Sequence, residues 1–115
     1  MNKKGVVFHL DLNDVNIFQL CINNIKNFLP YAKGKEVAVV ANGTAVKLFL
    51  KDSSEEFKDD LEELVKNGVK FFVCSKAIFA NKIEKSKLFN FCEIVPAGIA
   101  KIVELQEEGY IYIKP

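Results

Sequence analysis

Short, almost uninterrupted apolar runs alternate with stretches of helical periodicity along this chain, and that alternation constrains its fold more than any other feature. The runs fall at residues 5–10 (GVVFHL), 36–41 (EVAVVA), 69–74 (VKFFVC), 93–95 (EIV) and 110–113 (YIYI). Their apolar residues are close to continuous instead of every second one, as expected of strands covered by helices on both faces. Between them, residues 11–14 supply turn and N-cap side chains, and Ile17, Leu20, Cys21, Ile25 and Phe28 recur at helical spacing until Pro30. A short helix is expected over 44–50. Ser53 with Glu56 reads as a capping box for a helix burying Phe57, Leu61, Leu64 and Val65, which Asn67 and Gly68 end. Ser75 is expected to cap a short helix starting at Lys76. The stretch 81–91 has no clear period. Pro96, Ala97 and Gly98 open a last helix with Ile99, Ile102, Val103 and Gln106 on one face, closed by Gly109. The sum is an α/β chain with a mostly parallel sheet of about five strands, in one domain over residues 1–115.

The length supports that reading, since 115 residues suffice for one core and not for two of ordinary size. Half the residues are hydrophobic and 27% are charged, a globular composition without low-complexity tracts or repeats. The 16 basic side chains, against 15 acidic ones, are all Lys. Such a balance creates no field for nucleic acid, and the missing guanidinium removes the usual bidentate grip on guanine or phosphate. No nucleic-acid partner is therefore expected. The first apolar run stops at Asp11, too short for a signal-peptide core, and nothing approaches a membrane span. Three cysteines without a CxxC pair form neither a disulfide framework nor a zinc pattern, so neither a metal nor another cofactor is expected, and a reducing cytoplasm is the expected compartment.

In open α/β sheets ligands bind beyond the carboxyl ends of the strands. The residues that fall there are His9 after the first strand, Asn42 and Gly43 after the second, Cys74 and Ser75 after the third, and Pro96, Ala97 and Gly98 after the fourth. Cys74 stands out because a helix start and the Lys76 cation both favour a thiolate. Two readings of it stand at this stage: a reactive thiol, or a small apolar residue finishing a buried strand. Cys21 and Cys92 read as inert core. His9 serves either as a proton donor, base or hydrogen-bond partner for a ligand or as a histidine satisfied by the fold. Asn42 and Gly43 offer backbone N–H groups to an anion, or simply make a turn. The lysines at 76, 82, 85 and 87, interrupted by Glu84, read as a solvated face.

Taken in order, the fragments VVFHL (6–10), VAVVANG (37–43), GVKFFVC (68–74), VPAGIAKIVELQ (95–106) and EGYIYIKP (108–115), with Asn24 and Asn27 on the first helix, resemble the DsrE/DsrF-like family of small sulfur-relay and related uncharacterised proteins. The resemblance implies a flavodoxin-like α/β/α layer fold, assembly into homotrimers or homohexamers, and a cytoplasmic setting. In the relay members a cysteine passes persulfide sulfur between donor and acceptor proteins, and Cys74 occupies what looks like that position. His9, Asn42 and Gly43 match recurrent positions to which the family assigns no settled role. Two other readings remain open: a non-catalytic module holding a small anion or metabolite at the same rim, and an oligomeric scaffold whose contacts would involve Phe79, Phe89, Phe91, Tyr110 and Tyr112.

Overall fold

Five parallel strands stand in the order β4-β3-β2-β1-β5 in a computed structural model that describes residues 4–115. The strands are β1 (Gly5–Leu10), β2 (Glu36–Ala41), β3 (Lys70–Cys74), β4 (Cys92–Val95) and β5 (Tyr110–Ile113), joined by helices α1 (Val15–Phe28), α2 (Lys58–Lys66), α3 (Ser75–Ala80) and α4 (Gly98–Glu107). Short 3-10 turns fill Leu29–Tyr31, Gly43–Phe49, Glu55–Phe57 and Lys85–Lys87. The chain therefore steps outward from β1 to β4 and then returns through α4 to the far side of β1. Strand order reverses at the β1–β5 seam.

The two faces of the sheet are covered unequally. Val6, Phe8, Leu10, Val37, Val39, Phe71 and Val73 face a large core formed with Phe18, Cys21, Ile22 and Ile25 of α1, Leu61 and Leu64 of α2, and Ala77 and Ile78 of α3. Val7, Ala38, Val40, Phe72, Val95 and Tyr110 face a smaller one closed by Ile102 and Leu105 of α4. This is the three-layer α/β/α arrangement, with one layer reduced to a single helix. Aromatic edges hold the large core together: Phe18 lies 5.4 Å from Phe49 and 4.9 Å from Phe57, and Phe49 lies 5.7 Å from Phe71 between ring centroids.

Several local expectations are corrected by packing. α1 turns Phe18, Cys21, Ile22 and Ile25 inward and leaves Leu20 exposed, so its buried stripe is rotated from the one the apolar spacing suggests. On α4 the buried set is Gly98, Ile102 and Leu105, while Ile99 and Val103 face outward along with Gln106. Glycine at the first position lets α4 approach the sheet closely, and that approach fixes the rotation. The Ser53–Glu56 capping box does not form. The chain folds back through a Ser54 N–H bond to the Leu50 carbonyl and a Phe57 N–H bond to Ser54, burying Phe57, and α2 starts without a side-chain cap. The stretch without clear period runs antiparallel for one bridge, Leu50 to Leu88, and buries Leu88 and Phe89.

At the amino end of the sheet, Gly5 leaves room that a side chain would take from Tyr110, whose ring would lie 2.6 Å from an added Cβ. The Tyr110 hydroxyl donates to the Glu36 carboxylate, which holds that carboxyl below its ordinary range, while burial and this bond push the phenol upward. No helix among the described residues is long and apolar enough to cross a membrane.

Phe49 is fully buried at the centre of the aromatic group and its carbonyl accepts the Phe89 N–H at 3.0 Å. Phe49→Ala is expected to destabilise the fold by about 3–5 kcal/mol, measured as the shift of the urea unfolding curve.

Candidate functional site

Strand parity decides which side chains meet at the carboxyl edge. Residues two apart share a face, so His9 follows Val7, Asn42 follows Ala38 and Val40, Cys74 follows Phe72, and Tyr112 follows Tyr110, all in phase with the face that α4 covers. The strand order then ranks them across the edge as Tyr112, His9, Asn42, Cys74. The first three are joined by hydrogen bonds. His9 Nδ1 lies 2.6 Å from the Tyr112 hydroxyl, and His9 Nε2 lies 2.8 Å from Asn42 Oδ1. The His9 ring is 8% exposed and meets the Tyr112 ring edge-on, with centroids 5.6 Å apart. The His9–Tyr112 bond thus bridges the β1–β5 seam, where the strand order reverses.

Gly98 brings Cys74 into this row. A Cβ placed on Gly98 would lie 3.0 Å from Asn42 Cβ, 3.2 Å from Cys74 Cβ and 3.4 Å from Val40 Cγ1. The start of α4 is therefore seated directly over the second and third strands, with Asn42 and Cys74 both against it. Ala97 is the N-cap of α4 and has no side chain to accept from the first N–H groups, and Pro96 before it is exposed. Those groups consequently face the same edge without a side-chain acceptor.

Cys74, not Ser75, caps α3. Its Sγ accepts the Ala77 N–H at 3.4 Å, and Ser75 is the first helical residue, half-buried. The sequence favours Ser75 because serine is the commoner cap. The helix starts one residue earlier than that reading allows, at Ser75, so the thiol takes the capping position instead. Cys74 is only 6% exposed and packs into the larger core as well as against Gly98. It is thus a sheltered thiol and not an open one. His9 does not bond to it, because both ring nitrogens are engaged elsewhere.

The neighbouring turn is braced on both sides. Gly43 adopts φ +54°, and a Cβ there would strike the Asp11 carbonyl oxygen at 2.5 Å, so glycine is required on two counts. Asn81 at the end of α3 donates to the Gly43 carbonyl at 3.2 Å and to Ala77 at 2.8 Å. Lys114, just past β5, pairs with Asp11 at 2.5 Å and holds its carboxyl below the ordinary range. The Asn13 N–H donates to Thr44 at 2.9 Å.

His9, Asn42, Gly98 and Cys74, expected from the sequence, are therefore gathered in one place, with Gly43, Ser75, Pro96 and Ala97 forming the surrounding turns. Tyr112 is the member that the sequence reading missed as a site residue: counting in twos puts it in phase with Tyr110, but its meeting with His9 follows from the β1–β5 register. Of the aromatic residues expected on a contact surface, Phe89 and Tyr110 are buried, whereas Phe79 stands 86% exposed and Tyr112 38%. The lysines at 76, 82, 85 and 87 are all exposed. The other two thiols are set apart from the row: burial pushes Cys21, inside α1, and Cys92, at the start of β4, up to about 12. A hollow of about 430 Å³ lies at the opposite edge, among Lys26, Leu29, Pro30, Glu63, Leu64 and Asn67, and contains no nucleophile.

Two outcomes follow from this geometry. Gly98→Val forces two methyl-bearing branches between Asn42 and Cys74 and is expected to destabilise the fold by about 1–3 kcal/mol, read by thermal denaturation. The second concerns alkaline pH. Cys21 and Cys92 stay protonated in the fold up to about 12, whereas the unfolded chain releases those protons from the ordinary value of 9.0. The unfolded state then binds fewer protons, so their contribution is complete below pH 9 and lost progressively between 9 and 12. Unfolding free energies measured from pH 8 upward should fall less steeply in a Cys21→Ala/Cys92→Ala variant than in the natural chain.

The model of the DsrE/DsrF-like family matches residues 19–115. Among solved structures, MTH1491, a protein of unknown function from Methanobacterium thermoautotrophicum, is 33% identical over 96% of this chain and 97% of its own, with a TM-score of 0.88. A conserved protein of unknown function from Bacteroides thetaiotaomicron, BT1422, shares the fold at 14% identity, over 97% of this chain and 95% of its own, with a TM-score of 0.76. No curated protein matches. With a family model covering all but the first strand and the start of α1, the chain belongs to the DsrE/DsrF-like family.

Proposed function

We propose that this protein carries sulfane sulfur, with Cys74 as the residue that becomes a persulfide. The observation that carries the reading is the position of Cys74 at the junction of β3 and α3, where its sulfur already accepts a main-chain N–H and its Cβ, like that of Asn42, lies against the start of α4. An anion on that sulfur, or on a second sulfur attached to it, would meet N–H donors without rearrangement of the strands. Family membership supports the sulfur-relay class in general terms.

The chemistry is an exchange. The Cys74 thiolate attacks the outer sulfur of a donor persulfide, R–S–SH; the outer S–S bond forms on Cys74, the donor S–S bond breaks, and the donor leaves as its thiolate. An acceptor thiolate then takes the outer sulfur by the same displacement and Cys74 returns to its starting state. No electrons are gained or lost overall, and each thiol consumed is matched by one released. Donor and acceptor are separate proteins in this reading, the protein works in the cytoplasm, and it assembles as a homotrimer or homohexamer through apolar residues that the single chain leaves exposed, among them Ile99, Val103 and Ile111.

The burial of Cys74 favours one competing reading, a non-catalytic module whose rim holds a small anion while the thiol only caps α3. The two separate on one experiment. After incubation with a persulfide donor, intact-mass analysis should show one added sulfur on the natural protein and on a Cys21→Ala/Cys92→Ala variant, and none on Cys74→Ser with an unchanged melting temperature. A natural protein that gains no sulfur leaves the binding-module reading in possession.

A further inference from the structure

We infer that the exposed side of α3 and of the turn after it is a docking surface for an acidic protein segment, held by Phe79 together with Lys51, Lys76, Lys82, Lys85 and Lys87. That the segment belongs to the protein exchanging sulfur with Cys74 rests on the sulfur-carrier reading; the charge preference of the surface does not.

Short main-chain bonds bring these residues together. Lys76 and Phe79, three apart on α3, are neighbours on its surface. The Lys82 N–H donates to the Phe79 carbonyl and the Ile83 N–H to the Ile78 carbonyl, each at 3.0 Å, which folds the chain back at the end of α3. Beyond it the Lys51 N–H donates to the Lys87 carbonyl at 2.9 Å, and Lys51 and Lys85 line one hollow of about 250 Å³. All five lysines are exposed, and Phe79 is the most exposed of the large apolar side chains. The whole chain carries a net charge of only +1, with six acids gathered between 55 and 63, so this basic surface is a local surplus. The ion pairs among the described residues use Lys4, Lys26, Lys101 and Lys114, and no lysine of this surface. Asp52 and Glu84, the acids nearest in sequence, pair with none of them.

Lys82 adds a second, independent observation. The two bonds that close α3 place it in the left-handed position after the helix, at φ +57°, where glycine is the usual residue. In this chain α2 and α4 end on Gly68 at φ +89° and Gly109 at φ +101°. Lysine at the end of α3 carries a strain that glycine avoids, and its side chain forms no hydrogen bond or ion pair among the described residues that would offset it. Lys33, at φ +51° in the turn before β2, shows that the conformation alone marks no site. At Lys82 it coincides with unpaired charge and a bare aromatic ring.

The combination fits a protein partner. Single-stranded nucleic acid stacks on successive aromatic faces, whereas Phe79 stands alone here, Phe89 being buried and Phe91 half-buried. Protein interfaces set an aromatic anchor inside a polar rim. Cys74 caps this same helix, so a segment lying along α3 arrives at the β3–α3 junction. Ile99 and Val103, on α4, lie across the sheet and remain free for self-assembly.

The test uses a short fluorescent peptide of Glu and Gly with a central serine, beside its Gln counterpart. The Glu peptide should bind the natural protein more tightly than the Gln peptide and weaken as salt is raised. Phe79→Ala and Lys82→Glu/Lys85→Glu should each lower its affinity roughly fivefold or more with an unchanged melting temperature. Lys82→Gly should raise the melting temperature while still weakening the peptide, a pairing that a purely structural lysine would not give. Equal binding of the two peptides overturns the inference. So does tighter binding of an RNA oligonucleotide of matched charge at the same residues, or salt-sensitive self-association in light scattering that Lys82→Glu/Lys85→Glu abolishes. With cysteine in place of the central serine, and Cys74 loaded from cysteine persulfide, the Glu peptide should take sulfur faster than the Gln peptide. Its thiolate bonds the outer sulfur as the bond to Cys74 breaks and Cys74 leaves as thiolate. If Cys74 takes up no sulfur while the Glu peptide still docks through Phe79 and Lys82, the carrier reading falls and the acidic-partner surface stands.

Discussion

Parallel pairing of all five strands is the constraint from which the rest of the molecule follows. Because every strand points the same way, each carboxyl end arrives at one edge, and each needs a crossover to return. Residues separated by as many as 103 positions, such as His9 and Tyr112, become hydrogen-bonded neighbours for that reason alone. Period-two alternation then sorts the side chains that arrive. Odd positions on β1 and even positions on β2, β3 and β5 face α4, and this phase relation is what lines up Tyr112, His9, Asn42 and Cys74.

The unequal covering of the two faces gives the row its setting. Three helices and a group of stacked and edge-on phenylalanines fill the larger core, which contains most of the buried apolar surface. The opposite face has α4 alone, and α4 comes close to the sheet only where Gly98 allows it. Polar groups are accordingly tolerated at the margin of the smaller layer, where His9 is buried yet has a partner at each nitrogen. Lys101 also reaches over this face, with its ammonium 4.6 Å from the centre of the Phe72 ring.

The fold class and strand positions were legible in the sequence because continuous apolar runs bounded by Gly, Asn and Pro are produced by the same burial that makes a central parallel strand. The ends of strands differ from the expected ones by a residue at β3 and β4, where Lys70 and Cys92 are the first paired residues. Helix faces were less legible. Leu20, Ile99 and Val103 are apolar but exposed, and no pattern of spacing separates a residue held against the sheet from an equally apolar one turned outward. The site was half legible: strand-end logic gathers His9, Asn42, Cys74 and Gly98, while the thiol as helix cap turns on a one-residue shift of the helix start and Tyr112 as the partner of His9 on a long-range register that local sequence does not contain.

The occupation of both His9 nitrogens also bears on which chemistry suits the site. Hydrolysis or acyl transfer would ask a base within hydrogen-bond reach to take a proton from the nucleophile. His9 is committed to Tyr112 and Asn42, and the donor nearest the Cys74 sulfur is a main-chain N–H, which offers no basic lone pair. Thiol–persulfide exchange makes no such demand, since one thiol proton is taken up for each released and the attacking and leaving groups are both sulfur anions. Among the described residues the sulfur has one main-chain N–H donor and no hydrogen-bonded base, an arrangement that suits the sulfur anions of the proposed carrier better than it suits bond hydrolysis at Cys74.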